Sequence, residues 1–194
     1  MKKAIFVAVI CFLGLSQSNA QFSFKPGLRG GVNFSHFSQG DTNSYDSLGN
    51  SGTTNYGSIT DFYLGFYGAL HLTKYYTLEP EIDYSRQGSD YKINADSFKY
   101  RVAYVSIEVI NKFTFNDKFN VHLGPTIDFM VEKNFNPDSE VDLAFVLGAG
   151  YSFTKNLGIE VRVKKGIVPV LDYADSNHSN VVFSLGATYT FDLK

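Results

Sequence analysis

Eight stretches of this chain alternate apolar and polar residues with a period of two, and the apolar face of each is free of charge across its centre. Neighbouring residues of a β-strand point to opposite sides, so a period of two is the mark of strands with one apolar and one polar face. No helical period of any length follows residue 20. The stretches run Phe24–Phe37, Asp61–Thr73, Tyr76–Gly88, Arg101–Phe113, Phe119–Val131, Val141–Phe153, Leu157–Lys165 and Asn180–Phe191. Many aromatic residues, 13 Tyr and 18 Phe, together with only 19% charged residues, suit an all-β chain.

Sorting each stretch by parity gives two unlike surfaces. One carries Leu28, Val32, Phe34, Phe62, Leu64, Phe66, Leu78, Ile82, Tyr84, Val105, Ile107, Val109, Leu123, Ile127, Phe129, Leu143, Phe145, Leu147, Ile159, Val161, Val163, Phe183 and Leu185. The other carries Arg29, Asn33, Tyr63, Tyr67, His71, Glu79, Glu81, Asp83, Glu108, Lys112, His122, Thr126, Asp128, Asp142, Glu160, Arg162 and Lys164, with glycines between them.

Two closed sheets fit such alternation. A soluble lipocalin-like barrel turns the apolar face inward to line a ligand cavity; a membrane barrel turns it outward to lipid. Strands of about 11–13 residues exceed the roughly 9–11 that cross a bilayer at the usual tilt. Connections alternate between short ones at Lys74–Tyr75, Thr114–Lys118 and Thr154–Asn156 and long ones at Ser38–Thr60, Ser89–Tyr100, Glu132–Glu140 and Gly166–Ser179, the pattern of outer-membrane barrels. Aromatic residues collect at the strand ends: Tyr75, Tyr76, Phe113, Phe115, Phe119, Phe153, Tyr189 and Phe191 beside the turns, and Phe34, Phe37, Phe62, Tyr84 and Phe129 toward the loops. Such rings favour the headgroup level. The fold predicted is therefore an eight-stranded antiparallel up-and-down transmembrane β-barrel. An even strand count places both termini on the turn side, in the periplasm.

The N-terminus reads as a cleaved signal peptide. Lys2 and Lys3 form a positive region, Ala4–Leu15 is a short apolar core, and Ser18 and Ala20 place small residues for cleavage before Gln21. This divides the chain into a signal peptide, 1–20, and a barrel domain, 21–194. The single cysteine, Cys11, lies in the apolar core, so the mature chain has no thiol or disulfide chemistry. Loss of Lys2 and Lys3 leaves 15 basic residues against 19 acidic, a net charge of −4, which gives no reason to expect nucleic acid as a partner.

The runs KPGLRGGVNFS (Lys25–Ser35), LEPEIDYSRQG (Leu78–Gly88), VHLGPTIDF (Val121–Phe129) and DLAFVLGAGYSF (Asp142–Phe153), in that order, resemble the PorT-like outer-membrane β-barrel family. The glycine pair of the first run and the acidic-Tyr-Ser stretch of the second are its most specific parts. The chain departs from the family at Ile107, followed here by Glu108 where a proline is frequent. The resemblance implies a non-enzymatic outer-membrane barrel, with a link to protein secretion through name-giving members. It implies no active-site residues to transfer.

A barrel of eight strands is just wide enough for side chains to fill it. The polar face thus predicts a plugged, ion-paired interior built from Arg29, Glu79, Glu81, Asp83, Glu108, Lys112, Asp128, Asp142, Glu160, Arg162 and Lys164, with Arg29, Arg162 and Lys164 balancing Glu79, Glu81 and Asp83. No cofactor or metal is expected. The oxygen-rich first loop, with Asp41, Asn43, Asp46, Asn50 and Asp61, lacks calcium-loop spacing and reads as a solvated loop. His178, near Asp172, Asp175, Ser176 and Ser179, is a chemically possible cluster that would make the chain an outer-membrane enzyme acting on lipid or protein; a polar surface loop is the plainer account. The expected partners are outer-membrane lipid, the barrel-assembly machinery during insertion, and a protein at the extracellular loops.

Overall fold

The computed structural model describes residues 23–38, 43–45, 51–53, 55–93, 96–137, 139–169, 171–173 and 176–192, with side chains placed from 23–38, 57–90, 98–137, 139–169 and 179–192. The signal peptide expected over 1–20 lies outside these residues.

Eight strands close into a barrel: β1 (Ser23–Phe37), β2 (Asn55–His71), β3 (Tyr76–Ile93), β4 (Asp96–Phe115), β5 (Phe119–Lys133), β6 (Val141–Ser152), β7 (Leu157–Gly166) and β8 (Asn180–Thr190). Each pairs antiparallel with its neighbours in sequence, and β1 pairs with β8 to close the ring. Closure satisfies every strand edge, which a sheet in hydrocarbon requires. No helix among the described residues is long and apolar enough to cross a membrane, so any crossing is by strands.

The apolar face points out. Phe66, Ile82, Leu147 and Leu64 are each more than half exposed, with Phe34, Val109, Ile127, Phe145, Val161 and Phe183 beside them around the ring. A continuous apolar surface of this extent has no place in water. The soluble lipocalin-like alternative, which needs these residues inside, is thereby removed. Ring pairs mark the turn end of the belt: Tyr76–Phe113 at 5.2 Å, Tyr151–Phe153 at 5.4 Å and Tyr189–Phe191 at 5.2 Å. Phe62–Tyr84 at 6.1 Å and Phe34–Phe183 at 6.4 Å mark the loop end.

The turn end is tight. Thr73 and Thr154 each accept two backbone N–H groups through the side-chain oxygen, fixing two of the three turns. The third, Phe115–Lys118, has positive φ at both central residues, Asn116 (53°) and Asp117 (57°), the type I′ geometry whose twist matches the flanking strands.

The loop end differs from the sequence reading in three places. The connection expected at Ser89–Tyr100 is instead a continuation of β3 and β4, paired to Ile93↔Asp96, and β2 begins at Asn55 rather than Asp61. Beyond the membrane a strand needs no apolar face, so the residues Ser-Asp-Tyr-Lys carry the ladder without the hydrophobic period that would betray it. Phe37, expected in the aromatic belt, is fully buried. It shares the parity of Arg29 and Asn33 and so points inward, where Tyr100 (ring centroids 6.1 Å), Phe135 (6.2 Å) and Met130 cover it. Short ribbons, Asn43–Tyr45 with Ser51–Thr53 and Leu171–Tyr173 with Ser176–His178, lie in the other long connections.

Candidate functional site

The barrel interior is where the chemistry-bearing side chains meet. Strand parity stacks Glu79, Glu81 and Asp83 along β3, and Glu160, Arg162 and Lys164 along β7, all buried and facing the lumen. Arg29 of β1 reaches across to both ladders. Its guanidinium lies 2.8 Å from Glu81, 2.6 Å from Glu160 and 3.8 Å from Glu108, and bonds Asp83 directly. Arg162 sits below Glu81 and between further acids, at 2.7 Å from Glu81, 3.0 Å from Glu160 and 3.3 Å from Glu108. Tyr63 donates to Glu160 (3.2 Å) while its ring faces the Arg29 guanidinium at 4.8 Å.

Outside this central layer the pairs are simpler. Toward the turns, Lys112 donates to Glu79 at 3.0 Å, and Tyr67 shares a 2.7 Å hydrogen bond with Thr190. Toward the loops, Lys164 donates to Asp128 at 2.7 Å, and Asp142 accepts the backbone N–H of Val168 at 3.1 Å. Asn33 links Ser85 and Ser184. The pairing anticipated for Glu79 differs: its cation is Lys112, one strand away, because Thr77↔Lys112 pairing leaves these two side chains diagonal on the same face.

Glycines create the room. A Cβ at Gly65 would fall on the Asp83 carboxylate, and one at Gly148 would come 2.3 Å from the His122 ring and 2.9 Å from Arg162. His122 is buried with Nδ1 3.0 Å from Asn120 and Nε2 4.0 Å from Glu160, so its neighbours are an amide and a carboxylate rather than a hydroxyl nucleophile. His71 Nδ1 is buried without a hydrogen-bond partner. The side chains of Asp172, Asp175, Ser176 and His178, like those of Asp41, Asn43, Asp46 and Asn50, lie outside the described residues.

Glu81, Asp83 and Glu108 bring carboxylate oxygens within 4.8 Å of one another, a spacing that a metal could bridge. The space among them is filled by the Arg29 guanidinium. The cluster is thus bridged by an arginine fork, whose planar donors suit several carboxylates at once. What remains of the lumen here is a cavity of about 20 Å³ lined by Asp83, Glu108, Ser85 and Lys164 among others, enough for about one water.

Several interior residues went unnamed in the sequence reading. Tyr104 is 1% exposed and its hydroxyl accepts from Asn180 at 3.0 Å; Gln87, Ile110, Val146 and Val182 are also buried. Parity with Ser106 and Glu108 would have found Tyr104 and Ile110.

A closed ring of eight strands, an outward apolar belt with aromatic rims and an inward ion network agree with one comparison above all. The sequence from 5 to 191 matches the family described as outer membrane protein beta-barrel domain. The chain belongs to that family. Its members' architecture recurs in solved barrels of low identity, which bear on the fold alone. Neisserial surface protein A is 15% identical with a TM-score of 0.55, over 86% of this chain and 97% of that one. The outer membrane protein OprG from Pseudomonas aeruginosa is 12% identical with a TM-score of 0.52, over 89% and 98%. The attachment invasion locus protein of Yersinia pestis, solved with a heparin analogue, is 14% identical with a TM-score of 0.52, over 87% and 99%. No curated protein sequence matches the chain. An outer-membrane barrel domain of this kind resides in the bacterial outer membrane.

Proposed function

We propose that this outer-membrane barrel is a non-enzymatic envelope protein whose work is done at its loop end, by holding a protein partner. The observation that carries this reading is the filled lumen. Two arginines, Arg29 and Arg162, are locked between carboxylates from β3, β4 and β7, and the aromatic cover at Phe37, Tyr100 and Phe135 lies over the loop end. Beside these arginines the lumen has space for about one water, which makes it a poor route for solute. By contrast β3 and β4, of 18 and 20 residues, rise well past the membrane as a paired platform. Rigid elements carrying loops are the usual means of presenting a binding surface.

In this reading the loop end faces outside and both termini face the periplasm. The resemblance to PorT-like barrels favours a partner that belongs to a protein-export apparatus. Outer-membrane lipid surrounds the belt, and the barrel-assembly machinery inserts the chain. Orientation is tested with single cysteines, since Cys11 is the only native one. A membrane-impermeant maleimide on intact cells should label Ser139→Cys and leave Lys74→Cys unlabelled; the reverse contradicts the orientation. The role is tested by deleting the gene and profiling surface and secreted proteins, with crosslinking from Ser139→Cys. Unchanged secretion excludes the export version, and no crosslinked protein excludes a stable partner.

A further inference from the structure

The outward surface of β3, β4 and β5 changes character one row above the aromatic belt. Tyr84, Val105 and Phe129 are register partners across the three strands and belong to the apolar face. Two residues onward on β3 and β4, and three on β5 across the bulge opposite Ala103 and Tyr104, about 7 Å toward the loops, the corresponding row is Arg86, Ala103 and Glu132. Beyond it Arg101 stands opposite Gly88. The small side chain of Ala103 leaves a recess of about 160 Å³, whose polar wall is Arg86, Arg101 and Lys133 with Asn134 and the carboxylates of Asp61 and Glu132.

The cations of this recess are unequally engaged. Lys133 is paired with Glu140 at 2.5 Å. Arg86 lies against the Phe62 ring at 5.7 Å and meets Asp61 only at 3.6 Å. The Arg101 backbone N–H is taken by Asn134, but its guanidinium has no acceptor among the described residues. Glu132 accepts from Tyr84 at 3.2 Å, which ties the wall of the recess to the belt below. An unpaired arginine at headgroup height, beside a second that is weakly held, presents forked donors of the geometry that phosphate oxygens accept.

We propose that this recess seats the phosphate of an outer-leaflet lipid, with Arg101 and Arg86 as its donors. The lipid is favoured over a free anion because the recess is continuous with the apolar row beneath it: acyl chains attached to a phosphate held here would run down over Val105, Ile107 and Phe129. This rests on the loop end facing outside, which the cysteine labelling above tests separately.

The test uses the full mature chain folded in detergent, with retained lipid counted by native mass spectrometry. The probes are lipid A and the same lipid stripped of its phosphates. The wild type should retain the phosphorylated form at least about tenfold more tightly, the size expected for charge-assisted hydrogen bonds to phosphate. The double variant Arg86→Gln/Arg101→Gln should lose that preference while keeping its heat-dependent gel shift, and Lys74→Gln on the opposite rim should keep both. If the double variant fails to fold, Arg101→Gln alone, at an exposed and unpartnered side chain, decides the matter by the same readout. Equal retention of the two lipids, or an undiminished preference in a folded variant, overturns the proposal. Complete displacement by millimolar inorganic phosphate overturns the lipid as occupant.

Discussion

Arg162 contacts Glu81, Glu108 and Glu160 at once, and all four groups are buried. Four interior bases, Arg29, Lys112, Arg162 and Lys164, face seven acids, Glu79, Glu81, Asp83, Glu108, Asp128, Asp142 and Glu160. Removing Arg162 therefore leaves Glu81, Glu108 and Glu160 to share Arg29, which already bonds Asp83, with Lys164 at 3.9 Å from Glu108 the one further cation beside them among the described residues. Arg162→Met should destabilise the folded barrel by about 3–5 kcal/mol, the cost of breaking a buried pair by deleting one partner. Denaturant unfolding in detergent measures it; a loss below about 1 kcal/mol, the range of a surface pair, would mean that the network is hydrated and slack. Gly186 makes a second demand. A Cβ there would lie 2.0 Å from the Tyr63 hydroxyl and 2.6 Å from the Gly30 carbonyl, across the β1–β8 seam. Gly186→Val should reduce the yield of the fast-migrating folded band on an unheated gel, and an undiminished band would show that the seam can spread. Parity in the sequence told which side of the sheet each of these residues occupies. It could not tell partners, because those depend on the stagger between strands: Glu79 finds Lys112 rather than an arginine, and Lys164 finds Asp128.

At the scale of the strand, position along the membrane sets the cost of a charge. Leu147, midway along β6 and 56% exposed, faces the belt. Leu147→Arg should lower stability in lipid bilayers by about 2–4 kcal/mol. Phe98, equally exposed but on the extended part of β4, should tolerate Phe98→Arg within about 0.5 kcal/mol, as ordinary surface positions do. Equal costs at the two sites would misplace the membrane boundary. The Asn116-Asp117 turn invites the opposite kind of change. Asp117 holds φ of 57° without the freedom of glycine, so Asp117→Gly should stabilise the barrel by about 0.5–1 kcal/mol, read from the shift in the unfolding midpoint. No gain would mean that the side chain contributes more than the strain costs. The strands inside the membrane were legible to within a few residues because lipid forces strict alternation. The loop-side ends of β3 and β4 were not, since water on both faces imposes no pattern. Phe37 was misplaced for a related reason: aromatic character alone suggested the rim, while its parity pointed inward.

At the scale of the molecule, closure depends on joining the chain's ends. Phe191 donates its backbone N–H to Pro26 at 2.8 Å, and Lys25 pairs with Asp192 at 2.8 Å. The hydrogen bonds from Lys25 and Asn156 hold the Asp192 carboxyl below its ordinary range, so this tie is present at neutral pH and is lost as the carboxyl protonates in acid. A ring closed in this way, filled by its own charges and belted by apolar side chains, needs lipid or detergent outside, and beside Arg29 and Arg162 it leaves a cavity of about 20 Å³ within. Fold class was readable from eight alternating stretches because a sheet pairs every backbone group in hydrocarbon only when it closes into a barrel. What the loop end does was not, because loops on such a scaffold obey no period. The measurement that tests the closed membrane barrel most directly is fractionation of cell envelopes followed by gel electrophoresis of boiled and unboiled samples. The chain should sit in the outer-membrane fraction, require detergent for extraction, and run faster before boiling than after. A chain that is released without detergent and migrates identically in both lanes would contradict the account.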